Sequence, residues 1–248
     1  MSRGKKNIDP EVSLLLKRIA KSQVESGLKE MVISRVNIKR KREKLITPGQ
    51  KVQPVVGFSS PDEHCRAISE CQKCSLGATR TKFVYGVGKA KADILFIGEA
   101  PGRDEDLKGE PFVGRAGQLL DKILAAIKFT RGEIYIANIL KCRPPSNRDP
   151  LPEEIQTCLP YLMEQIRIIN PKIICALGRI SAQTLLQTTT PIGKLRKQWH
   201  NYNGIPFIIT YHPAALLRFE SYKKDCWEDM KMLRAKYDEL KSKKIIWP

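Results

Sequence analysis

From Asp93 onward the apolar residues alternate between two spacings. Short unbroken runs recur at Asp93-Ile94-Leu95-Phe96-Ile97-Gly98, Ile134-Tyr135-Ile136-Ala137-Asn138-Ile139, Lys172-Ile173-Ile174-Cys175-Ala176-Leu177-Gly178 and Pro206-Phe207-Ile208-Ile209-Thr210. Runs that short and that uniformly apolar read as strands buried on both faces. Between them the spacing becomes helical. Leu119, Leu120, Ile123, Leu124 and Ile127 mark one face of a helix over 117–128, and further helices are predicted over 152–169, 180–187 and about 222–241. This alternation predicts an α/β fold: three α/β/α layers around a central four-stranded parallel sheet. Ligands of such sheets bind beyond the carboxyl ends of the strands. That rule directs attention to residues 98–102, 138–142, 178–179 and 211–213.

Residues 1–62 do not share this rhythm and are read as a basic N-terminal arm and linker, leaving 63–248 as the folded domain. A helix is predicted over 8–30, with Asp9 as N-cap, Pro10 at its first position and Val12, Leu15, Leu16 and Ile19 on its apolar face. The run Lys39-Arg40-Lys41-Arg42-Glu43-Lys44 follows, and Pro48-Gly49 and Pro54 then break structure. The basic run suits a DNA contact, a targeting signal or a solvated helix end, and residues alone leave all three open.

Charge narrows the class. The chain of 248 residues carries a formal net charge of +18, of which the arm holds +8. An excess of this size points to a polyanionic partner, most often nucleic acid. No apolar run reaches the roughly 18 residues that cross a bilayer, and no strong apolar stripe opposes the cations, so no membrane partner is expected. The N-terminus is polar and basic, without the apolar stretch of a secretory signal. With an odd count of seven cysteines, this predicts a reducing, intracellular compartment.

Four of those cysteines stand in the order Cys71-x2-Cys74, Cys142, Cys158. The spacing is too sparse for a disulfide scaffold and lacks the paired knuckles of the commonest zinc arrangement. One close pair plus two thiols delivered by the fold suits an iron–sulfur cluster. Arg143-Pro144-Pro145 after Cys142 forms a stiff turn that projects the thiolate. Cys65, Cys175 and Cys226 are read as ordinary thiols.

Two strand-end segments carry candidate chemistry. Gly98-Glu99-Ala100-Pro101-Gly102 follows the first strand. Its glycines permit a sharp turn and a close ligand approach, yet it is neither a dinucleotide fingerprint nor a Walker loop. Tyr211-His212-Pro213-Ala214-Ala215-Leu216-Leu217-Arg218 follows the fourth strand, so topology gathers His212 with Glu99 and Asn138. His64 and His200 have no such placement and are read as structural or surface residues.

These segments, together with Pro111-Phe112-Val113-Gly114, Asn138 four residues before Cys142-Arg143-Pro144-Pro145, and Cys158, resemble the type-4 uracil-DNA glycosylases, the iron–sulfur branch of the uracil glycosylase superfamily. The resemblance runs from about residue 64 to 240 and excludes the arm. It implies a repair enzyme that hydrolyses the N-glycosidic bond of deoxyuridine in DNA and leaves an abasic site. The target base must be extruded from the duplex into a pocket. The implied roles are Phe112 as the aromatic platform, Asn138 as the reader of the uracil edge, and His212 as the donor that stabilises the departing uracil anion. Ala100 lines the substrate site, and a [4Fe–4S] cluster sits on Cys71, Cys74, Cys142 and Cys158. The best-known members of the superfamily carry Asp at the position of Ala100 and Tyr at that of Gly102. Neither is present here, as in the type-4 branch, and Glu99 becomes the candidate for ordering water or supporting the sugar cation. Leu216 and Leu217 are candidate wedges for the base stack, with helix core as the alternative. Arg115, Arg143 and Arg218 are candidate phosphate contacts.

Two rival readings fit the same residues. The same fold would serve a catalytically weak DNA-binding module of a replication protein, and the four cysteines would also serve a zinc-stabilised nucleic-acid-binding protein. A monomer is expected, with the arm as a site for replication or repair proteins.

Overall fold

The structure is a computed structural model that describes residues 57–242. The helix predicted over 8–30 and the basic run 39–44 lie outside the described residues. At the start of the described chain, Ser60 caps helix α1 (Pro61–Ile68) by accepting from Glu63 N, and Phe58 N donates to Glu164 at 3.3 Å.

The next elements are α2 (Leu76–Thr79), β1 (Val87–Gly88), β2 (Ile94–Gly98), α3 (Arg103–Lys108), α4 (Arg115–Ala126), β3 (Tyr135–Asn138) and α5 (Pro152–Ile169). They are followed by β4 (Ile173–Leu177), α6 (Arg179–Leu186), α7 (Ile192–Leu195), β5 (His200–Tyr202), β6 (Ile205–Thr210), α8 (Pro213–Arg218) and α9 (Tyr222–Ser242). The strands form one sheet in the order β1-β3-β2-β4-β6-β5. The four runs identified as strands pair in parallel, in register Gly98 with Asn138, Ile97 with Ala176 and Leu177 with Thr210.

The expectation of a purely parallel four-stranded sheet needs correction. Two short strands, β1 and β5, add antiparallel edges. At two and three residues they are too brief to show a period. Both are partly exposed and carry mixed residues, as edge strands do.

Each parallel strand feeds two cores. Leu95 and Ile97 point to one face with Leu162 and Ile166 of α5, Ile68 of α1 and Leu185 of α6. Ile94 and Phe96 point to the other with Leu120 and Leu124 of α4, Leu216 of α8 and Met230 of α9. Alternate side chains thus bury against opposite helix layers, which is why these strands are apolar without interruption. The carboxyl ends of β2, β3, β4 and β6 are thereby held along one edge. Among the described residues, no helix is long and apolar enough to cross a membrane.

Candidate active site

A cavity of about 320 Å³ opens at that edge. Its wall includes Glu99 and Ala100 from the loop after β2, Phe112, Asn138 at the end of β3, and His212 and Arg218 flanking α8. Candidate residues from separate segments of the sequence therefore line one cavity.

Asn138 is the last residue of β3 and is 2% exposed. Its Oδ1 has no hydrogen-bond partner among the described residues. A buried acceptor left in that state costs about 1–3 kcal/mol, a cost that a donor on a bound ligand removes. The neighbouring strand permits this placement because residue 98 is glycine: a Cβ there would overlap Asn138 Oδ1 and the Phe112 ring.

Phe112 is buried in a loop before α4, with its backbone in the left-handed region at φ 55°. Such a conformation is costly for an aromatic residue and persists only where surroundings hold it. Here Arg131 donates to Phe112 O at 3.0 Å and to Pro111 O at 2.7 Å. Glu105 of α3 accepts from Val113 N and Gly114 N, both at 2.9 Å, and from Gly102 N at 3.1 Å. One carboxylate therefore ties the loop after β2 to the loop that carries the ring. The Phe112 ring centroid lies 5.4 Å from that of His212, tilted by 34°.

His212 caps α8, and Pro213 occupies the first helical position. Its Nδ1 accepts from Ala214 N at 3.2 Å, so in the neutral ring the proton sits on Nε2. Burial, reinforced by the Arg218 cation, lowers its pKa to about 4. At neutral pH the ring is an uncharged donor through Nε2. Gly178, at φ +98°, lets β4 pass close below: a Cβ there would stand 2.9 Å from His212 Cβ.

Glu99, in the loop after β2, is partly buried and also lines the cavity. Burial first, and repulsion from Asp149 second, raise its carboxyl to about 7 against the opposing pull of Arg179. Asp149 itself pairs with Arg179 at 2.6 Å. Arg148, also on the cavity wall, is held by two bonds of 2.6 and 2.9 Å to the buried Glu154.

The other predicted residues distribute unevenly. Arg218 lines the cavity, whereas Arg115 lies at the start of α4 beside Asp104 and Lys108, outside it. Arg143 Nε donates to Asn147 Oδ1 at 2.8 Å, and Asn147 lies on the cavity wall. The leucine pair divides: Leu217 is 45% exposed, but Leu216 is 2% exposed within the core against α4 and α9. Leu216 is thus a packing residue, and the wedge reading survives for Leu217 alone.

Sequence reasoning does not single out Glu105 or Arg131. Glu105 had a signal, standing three residues after Gly102 as helix-capping acids do. Arg131 had none, because its partners are 19 and 20 residues away.

All four cysteines expected to hold a cluster are free. Cys142 and Cys158 are buried in the same core cluster, with Cys74 packed against it. Burial raises the Cys142 thiol to about 11, opposed by Arg80, and Cys158 and Cys74 add repulsion. Arg80 Nη1 donates to Cys142 Sγ at 3.4 Å and to Cys71 O at 2.5 Å, and Tyr161 OH donates to Cys71 Sγ at 3.2 Å. The buried Lys141 lies near Cys158 and Cys142. Thiolate ligands of a cluster need such cations and donors around sulfur, so the donor set fits. Among the described residues, no group of three or more His, Cys, Asp or Glu side chains is placed to hold a single metal ion.

Comparison with known proteins shows the family. The family model described as "Uracil DNA glycosylase superfamily" matches residues 85–231. The chain is 47% identical over 184 residues to a type-4 uracil-DNA glycosylase of Archaeoglobus fulgidus, covering 71% of this chain and 92% of that protein. It is 41% identical over 176 residues to the type-4 uracil-DNA glycosylase of Pyrobaculum aerophilum, covering 66% and 88%. For that of Saccharolobus solfataricus the identity is 43% over 187 residues, covering 72% and 85%. The chain belongs to the uracil DNA glycosylase superfamily.

Proposed function

We propose that this chain excises uracil from DNA by hydrolysing the N-glycosidic bond of an extruded deoxyuridine. The observation that carries the reading is the partnerless Oδ1 of Asn138, buried beside the Phe112 ring and within the cavity that also holds His212. Uracil presents an N3–H donor beside the O4 acceptor. One carboxamide meets both: Oδ1 takes the N3 proton and Nδ2 donates to O4. Cytosine offers the opposite pattern and would leave buried groups unsatisfied.

As the bond breaks, positive charge grows on the sugar and negative charge on uracil. The neutral His212, whose Nδ1 is occupied by Ala214 N, directs Nε2–H at uracil O2. A preorganised donor of this kind lowers the barrier by up to about 4 kcal/mol. Phe112 stacks on the base. Glu99, near half-ionised at neutral pH, orders water or supports the sugar cation, a task that Ala100 cannot perform. Arg115, Arg143 and Arg218 contact phosphates, and Leu217 enters the stack vacated by the base.

Cys71, Cys74, Cys142 and Cys158 would hold a [4Fe–4S] cluster. When bound, it supplies a covalent brace for the segment between Cys142 and Cys158, which includes Arg148 and Asp149 of the cavity wall; hydrolysis itself needs no electrons. Residues 1–62 act as a basic extension that adds salt-sensitive DNA affinity and a place for replication or repair proteins. The protein works as a monomer. Its compartment is reducing and intracellular, a reading supported by its unpaired cysteines. Incubation with uracil-containing oligonucleotides, followed by alkaline cleavage at abasic sites, tests the activity. Intact DNA after binding would reject it in favour of a binding module.

A further inference from the structure

Large exposed apolar side chains on the described surface are scattered over separate elements, with one exception: Leu217, 45% exposed, and Phe219, 53% exposed, fall within three residues of each other. Between them stands Arg218, which lines the cavity. Single exposed apolar residues need no explanation, but two that flank a cavity-lining arginine in the chain call for one.

Phe219 is also braced. It ends α8, with its N–H donating to Ala215 O at 2.8 Å. Its ring lies 5.4 Å from that of Tyr222, which stacks on Tyr211 at 4.1 Å and 9°. The guanidinium of Arg196 covers the Tyr211 ring at 4.2 Å and bonds the buried Asp229 at 2.7 Å. An aromatic column thus runs from a buried ion pair to the surface, and it passes through the residue adjacent to His212. Lys223 and Lys224 follow Phe219 in the chain, with Lys223 paired to Glu220 at 2.6 Å.

We propose that Phe219 is a second duplex-engaging side chain: it stacks on the base left unpaired opposite the extruded uracil, and makes paired DNA the better substrate. The inference rests on the uracil-excision reading above. The occupant follows from chemistry and place. An exposed ring next in the chain to the cavity-lining Arg218, and packed against Tyr222, presents a flat apolar face, and the unpaired base of an opened duplex presents another. Stacking of this kind is lost when an aromatic is cut to alanine. A single strand has no opposing base, so it gains nothing from the ring.

The test is single-turnover excision from matched single- and double-stranded uracil substrates, with 2-aminopurine opposite the uracil as a stacking probe. Phe219→Ala is expected to lower the ratio of duplex to single-strand rate by about tenfold and to leave the probe brighter in the complex. Phe219→Tyr, which keeps a stacking face, restores both, and Met163→Ala, an exposed residue on α5, changes neither. An unchanged ratio in Phe219→Ala, or an equal loss on both substrates, overturns the proposal while leaving uracil excision standing. Failure of the wild-type protein to excise from either substrate removes both readings together.

Discussion

At the scale of single residues, catalysis is assigned to groups whose protonation is set by burial. Glu99 is the clearest case. Its carboxyl is raised to about 7 from 4.5, so between those values the folded chain holds a proton that the unfolded chain has released. Stability contributed by Glu99 is therefore lost as pH rises through that window, and the loss is complete above about pH 7. Glu99→Gln removes the ionisation. Its melting temperature should exceed that of the wild type by several degrees above about pH 7 and match it below about pH 4.5, as read by thermal denaturation. If the ionised form acts, wild-type excision rises to a plateau above about pH 7, and that limb is absent in Glu99→Gln. That Asn138 and His212 share one cavity was legible in the order of segments along the chain. The state of the imidazole was not, since it depends on a cap bond to Ala214 N and on burial by distant elements. Leu216 and Leu217 show the same limit in another form. They are neighbours in sequence, and only the helix phase of α8 sends one to the core and the other to solvent.

At the scale of elements, the parallel strands and the long helices were readable because two-sided burial writes an unmistakable pattern. The predicted helix over 152–169 coincides with α5, and that over about 222–241 with α9. The short pieces α3, α7 and α8 carry too few turns for a period to show. They exist because tertiary contacts close around them, and the site depends on two of them. Glu105 of α3 joins the loop after β2 to the Phe112 loop through three backbone donors. Bonds to a charged acceptor contribute about 1.5–3 kcal/mol each when well formed, and those beside solvent less. Glu105→Ala should therefore lower the melting temperature. It should also lower the single-turnover excision rate by roughly 10- to 100-fold, since small displacements of a positioned group are costly. Chemical denaturation and excision kinetics on the same preparation check this. A variant that loses stability but keeps the wild-type rate would show that the clamp serves the fold alone.

At the scale of the whole molecule, two features stand apart from the catalytic wall: the cysteine quartet and the charge. A cluster on the quartet would join the segment after α1 to the loop before α5 and to α5 itself, so metal loss is expected to loosen the Arg148–Asp149 side of the cavity. A loaded preparation should be brown, with absorption in the blue. Cys142→Ser should bleach it and lower its melting temperature; a colourless preparation with stoichiometric zinc would contradict the cluster. The formal charge of +18 predicts that affinity for undamaged duplex falls on the order of a hundredfold between about 50 and 200 mM salt. Replacing Lys39, Arg40, Lys41, Arg42 and Lys44 by alanine should flatten that slope, as titrations at graded salt would read. In the proposed reaction an amide, an imidazole and a phenyl ring converge on one extruded pyrimidine. Single-turnover uracil excision by the wild type, Asn138→Ala and His212→Ala tests that convergence most directly. The wild type should release uracil and leave an abasic site, and each variant should lose at least about a hundredfold in rate. Wild-type rates in both variants would contradict the assignment.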